Sequence, residues 1–135
     1  MIVRIAITIL CGVGLYASIF MLRKSQRAEH GHVKGPSVVK TPQARLFGPP
    51  NSLVAVFYYP LLVVAVWALP LLASSGQAAI ASIVWWCALF GAVAAAGTSL
   101  ALAFSLLFIT KRWCPYCWTS HLVNWLLFFL VLASK

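Results

Sequence analysis

A chain of 135 residues that is 63% hydrophobic and only 8% charged, with a mean hydropathy of +0.97, has too few polar side chains to cover a water-soluble domain. Its net charge of +9 comes from ten Lys and Arg against one acid, Glu29. In a soluble protein that excess would suggest nucleic acid. Here the charges lie in loops beside apolar runs, where anionic lipid headgroups and membrane topology account for them, and no nucleic-acid partner is expected.

The apolar residues fall into four blocks, each long enough for the roughly 20 helical residues that cross a hydrocarbon core. Residues 5–22 form the first. Arg4 before it resembles the start of a signal peptide, but the run ends in FMLRK with no small-residue cleavage site, so a retained helix is expected. Residues 23–52 follow, rich in Lys, Arg, Pro and Gly and without helical or strand periodicity, and read as a loop. Gly48, Pro49 and Pro50 stop any helix there. Asn51 or Ser52 can then cap the second span, residues 53–73, by accepting a bond from a free backbone N–H; the alternative is that Asn51 offers its amide to a ligand at the membrane edge.

The SSGQ turn, residues 74–77, allows only a tight antiparallel connection to the third span, residues 78–109. Residues 115–132 form the fourth. The expected fold is therefore an all-α integral membrane protein, one four-helix bundle formed by residues 1–135. Trp85, Trp86, Trp113 and Trp125 fit interfacial or lipid-facing anchors, and Cys11 and Cys87 fit small apolar residues within their spans.

The fourth span opens on RWCPYCWTSHLVN, residues 112–124. Cys114 stands near a helix N-terminus, where free N–H groups and the helix dipole stabilise a thiolate, with Lys111 and Arg112 just upstream. Pro115 suits the first turn because it has no N–H to leave unpaired. The pair can close to a disulfide or present one reactive thiolate, the chemistry of thiol–disulfide exchange. At about 100° per residue, Cys114, Cys117, His121 and Asn124 share a stripe about 80° wide. Polar groups inside a membrane face a bundle interior or a ligand, so the stripe marks a candidate site. His121 and Asn124 also fit plain helix-to-helix hydrogen bonding; their register with the cysteines favours the site. A zinc centre would need Cys11 and Cys87 from other spans, or His30 and His32 from the loop, and no metal is expected.

LFGPPNS, residues 46–52, together with CPYCWTSHLVN, residues 114–124, resembles the vitamin K epoxide reductase family, and the similarity covers nearly the whole chain. The resemblance implies a four-helix bundle around a quinone of ubiquinone or menaquinone type, with electrons passing from thiols to quinone or to vitamin K epoxide. It implies that Cys117 faces the quinone and that Cys114 exchanges with an outside thiol, from a thioredoxin-like protein or a small thiol. Asn51 matches the family asparagine that hydrogen-bonds a quinone oxygen, and His121 falls where many members carry a tyrosine. Family members also carry two relay cysteines in the first loop. This chain has no cysteine between Cys11 and Cys87, and Gly35 stands about where the second would be. Either Cys114 exchanges directly with a donor, or the relay was lost with catalysis and the protein binds a quinone or partner without turnover, or the relay was removed deliberately.

Sidedness draws two expectations. Arg23, Lys24, Arg27, Lys34, Lys40, Arg45, Lys111 and Arg112 fall at the cysteine end, and Arg4 and Lys135 at the other, which places the cysteines toward the cytoplasm. The family resemblance implies the extracytoplasmic side, where disulfide-making chemistry has its usual work, and that side is the expected one.

Overall fold

The computed structural model describes residues 1–46 and 48–134; Phe47 of the LFG element and Lys135 of the charge count lie outside the described residues. Helix α1 is Ile2–Glu29, α2 is Asn51–Ser74, α3 is Ala78–Phe104, continued by a π-helical turn over Ser105–Thr110, and α4 is Pro115–Leu132. These four, with the π turn extending α3, are each long and apolar enough to cross a membrane. The described residues contain no strand.

Three of the expected spans agree with the helices to within two residues at either end. The first does not: α1 runs seven residues past Leu22 through RKSQRAE, a stretch whose composition predicts loop. Arg, Lys, Gln, Ala and Glu are good helix formers, and hydropathy marks the apolar run rather than the helix. At about 1.5 Å per residue α1 is about 42 Å long, so its last turns stand clear of a roughly 30 Å core.

Gly31 ends α1, at φ 73°. The amide of His32 donates to the carbonyl of Arg27 at 2.9 Å and that of Gly31 to Ala28 at 3.2 Å, the paired bonds of a left-handed glycine cap. The SSGQ turn repeats the device: Gly76 has φ 78°, and the amides of Gln77 and Gly76 donate to Leu72 and Ala73. That glycine is why a connection so short can reverse the chain.

Each of α1 and α3 packs against both α2 and α4. The apolar core joins Ile7 and Cys11 of α1, Tyr59, Leu62 and Val66 of α2, Ala88 and Ala92 of α3, and Val123, Leu127 and Val131 of α4. These positions concentrate in the half of the bundle away from the cysteine pair. Outward faces carry side chains such as Ile9, Phe57, Leu61 and Phe90, which suit lipid. Trp86 and Trp113 are exposed as expected of anchors, but Trp85 of α3 is buried at 8% exposure. Trp125 is half-buried and donates its Nε1–H to the carbonyl of Ala96 at 3.3 Å.

Candidate functional site

Cys114 and Cys117 are joined as a disulfide, with Cα atoms 5.3 Å apart. Cys114 is the N-cap of α4, in extended conformation, and its Sγ accepts the amide N–H of Cys117 at 3.3 Å. Pro115 occupies the first turn. The sequence places the pair at the helix start, and the cap geometry explains why: the sulfur satisfies one of the free N–H groups of the first turn.

A helical wheel overstates what the two sulfurs share. Because the backbone of Cys114 is not helical, its side chain leaves the stripe; it is buried against α1, with its Sγ 4.0 Å from the Met21 Sδ. Phe20 of α1 and Tyr116 of α4 stack at 4.0 Å between ring centroids. Cys117 instead lines a cavity of about 390 Å³, together with Ser120, His121 and Asn124 of the same helix. Positions 117, 120, 121 and 124 are one helical face.

All four helices wall this cavity, and the first loop covers part of it through Val38, Val39 and Thr41. That loop is built from two short 3₁₀ turns, Val38–Lys40 and Pro42–Arg45. Asn51 holds it down. Its Oδ1 accepts the Leu46 amide N–H at 3.1 Å and its Nδ2 donates to the Gln43 carbonyl at 2.8 Å. The capping expectation is therefore corrected: α2 begins at Asn51 itself, with Pro50 before it and no side-chain cap, because the amide is committed to the loop. Asn51 also lines the cavity, and its amide keeps a second N–H and a second oxygen lone pair beyond the two loop bonds. An ion pair between Arg45 and Glu29 ties the same loop to the end of α1.

Asn124 has both ends of its amide engaged as well. It accepts from the Tyr59 hydroxyl at 3.0 Å and donates from Nδ2 to the Ser99 Oγ at 2.8 Å, linking α2, α4 and α3 beneath the cavity. His121 differs. It is 6% exposed, its ring meets Trp118 edge-on and stacks on Trp125, and neither ring nitrogen has a hydrogen-bond partner.

Several cavity residues escape the sequence reading. Tyr58 and Tyr59 sit in a run dominated by aromatic and aliphatic residues, and Ser18, Ser99 and Ser105 are small polar residues in apolar stretches of helix. Their signal was a polar side chain at membrane depth; what was missing was the helix face each one occupies.

The remaining candidates for metal chemistry are apart. Cys11 is buried in the core and Cys87 is exposed on α3, while the Nδ1 atoms of His30 and His32 lie against backbone carbonyls at 2.8 and 3.0 Å. Among the described residues no group of three or more His, Cys, Asp or Glu is placed to hold a metal ion.

The sequence profile of the Vitamin K epoxide reductase family matches residues 5–132, nearly the whole chain. No curated protein matches it. Members of that family are membrane oxidoreductases that couple thiols to a quinone or vitamin K substrate.

Proposed function

The chain belongs to the vitamin K epoxide reductase family, and on that premise we propose that it is a thiol:quinone oxidoreductase in which Cys114 and Cys117 cycle between dithiol and disulfide. One observation carries the reading: a cysteine pair already closed to a disulfide stands with Cys117 on the wall of a largely apolar cavity inside the bundle. In each turnover two S–H bonds are lost and one S–S bond forms, while a ubiquinone- or menaquinone-type quinone takes the two electrons and two protons and becomes the quinol. A dithiol donor, thioredoxin-like or small, then resets the pair. Its thiolate attacks the Cys114 Sγ, Cys117 leaves as thiolate, and the donor's second thiol releases Cys114 from the mixed disulfide. Met21 must yield for that attack, because it packs against the buried Cys114 Sγ.

In this scheme His121 hydrogen-bonds a quinone oxygen, Asn51 joins it through the Nδ2–H that the loop does not use, and Asn124 positions Tyr59 and Ser99. The absence of any cysteine between Cys11 and Cys87 favours one rival, a protein that binds a quinone without turnover. Protein purified in detergent and supplied with excess dithiol and a short-chain quinone separates the two. Saturable, protein-dependent loss of quinone absorbance is the expected result. Quinone-dependent thermal stabilisation without reduction would instead support the rival, and neither effect would end both readings.

We further propose that the cysteine end faces the cytoplasm, following the charge count rather than the orientation the resemblance implies. The projecting end of α1 carries Arg23, Lys24 and Arg27, and Lys111 and Arg112 stand at the same end of the bundle. In a Cys87→Ser background, a membrane-impermeant maleimide is expected to label the reduced pair only after the cells are permeabilised. Labelling in intact cells would reverse the orientation.

A further inference from the structure

Reducing a quinone with a dithiol moves two protons as well as two electrons, and the cavity offers little to carry a proton. No Lys, Arg, Asp or Glu is among the described residues lining it. Its hydroxyls and side-chain amides bind an extra proton far more weakly than an imidazole does. His121 is the only His among those residues.

The surroundings of His121 suit that task. It stands four residues after Cys117 on α4, which puts two Cβ atoms about 5–6 Å apart on one face. Side chains in a helix lean toward its N-terminus, and this carries the ring back over the turn that holds Cys117. Trp118 meets the ring edge-on and Trp125 stacks on it, at 6.1 and 6.5 Å between centroids, and Trp125 is itself tied to α3 through the Ala96 carbonyl. Packing thus holds the ring in place, while both its nitrogens are buried without a hydrogen-bond partner. Such groups are unfavourable in an apolar interior unless something supplies the missing bond. In the disulfide Cys117 has no proton to give; reduction creates an S–H one helical turn from the ring.

The Tyr58 hydroxyl, also buried and unpartnered on the cavity wall, is too deep for the same role. Its ring lies against Gly91 of α3. Gly91 is eight residues, about 12 Å, further from the cysteine end than Ser99, and Ser99 already bonds Asn124, two turns inward of Cys117.

We infer that His121 is the proton relay between Cys117 and the quinone, a catalytic residue and not only a hydrogen-bond donor. The inference rests on the quinone reading. One ring nitrogen accepts the Cys117 proton as the sulfur bonds to a quinone ring carbon, and the other nitrogen gives its own proton to a quinone oxygen. Cys114 then attacks the Cys117 sulfur. The S–S bond forms, the carbon–sulfur bond breaks with its electron pair passing to the ring, and the Cys114 proton goes to the second oxygen. Two S–H bonds are lost, one S–S and two O–H bonds form, and the quinone leaves as quinol. Because one proton enters the imidazole as another leaves, no uncompensated charge is created on it inside the membrane. Neither nitrogen is fixed by a partner, so both tautomers are open to it.

Full-length protein in detergent, reduced with dithiol and mixed with a saturating short-chain ubiquinone analogue, reports a single turnover by quinone absorbance. His121→Gln keeps an N–H for a quinone oxygen but loses the basic nitrogen. It is expected to leave the Kd for quinone little changed and to slow the turnover about a hundred-fold or more, as loss of a general acid–base group does. His121→Tyr, whose hydroxyl can both accept and donate a proton, is expected to recover most of that loss. Wild-type turnover is expected to slow in heavy water. If His121→Gln turns over at the wild-type rate, or loses quinone affinity while its rate at saturation holds, the ring only binds; the relay is then wrong and the quinone reading stands. If heavy water leaves the wild-type rate unchanged, the relay is overturned whether or not the variants fold. Failure of wild type to reduce any quinone would remove both.

Discussion

Cys117→Ala, assayed with excess dithiol and saturating quinone, is expected to lose quinone reduction by about three orders of magnitude or more, as removal of a catalytic nucleophile does elsewhere. Cys117 is the sulfur on the cavity wall, while Cys114 is buried against Met21. Without Cys117 the two electrons cannot leave together through closure of an S–S bond. Cys114→Ala is expected to stop turnover too, but by another route. It leaves a thiol facing the cavity that can engage quinone and then has no partner to close on. The two variants should therefore separate in a single-turnover experiment followed by quinone absorbance. A spectral change on mixing is expected for Cys114→Ala and none for Cys117→Ala. A Cys117→Ala protein retaining a tenth of the wild-type rate would sink the mechanism.

The different fates of the two cysteines show how far sequence reasoning reached. The start of α4 at Pro115 was legible, because a cysteine, a proline and then an apolar run form a cap, a first turn and a span. Cys117, His121 and Asn124 were legible as one face because all three lie within regular helix, and all three line the cavity. Cys114 was placed on that face by extending the helical period one residue too far. The N-cap has its own backbone geometry, and a period says nothing about it. Asn51 illustrates a second limit. Its nearness to the ligand space could be read from its place in the chain, but its two loop bonds depend on the 3₁₀ turn that brings Gln43 and Leu46 back to it. Ser105 was hidden for a third reason: it faces inward on a π turn, which no apolar pattern announces.

Gly14→Ala is expected to destabilise the bundle by about 1–3 kcal/mol, the range for added carbon in a filled core. Gly14 is buried on α1, and a Cβ there would overlap the ring of Tyr59. That ring is 1% exposed and cannot swing aside into solvent. Moving it also breaks the bond from its hydroxyl to Asn124, and with it the link onward to Ser99 beneath the cavity. Helix propensity pulls the other way, since Ala is better than Gly by about 1 kcal/mol in a helix interior. Gly12, two residues earlier on α1, isolates that opposing contribution, because a Cβ there meets nothing within 4 Å. Gly12→Ala is therefore expected to hold or raise the melting temperature in detergent, and Gly14→Ala to lower it. If the overlap is the cause, adding Tyr59→Ala should cancel part of the Gly14→Ala effect, giving a double-mutant coupling of about 1 kcal/mol or more. Additive losses would mean that α1 and α2 approach each other without the Gly14–Tyr59 contact deciding how closely.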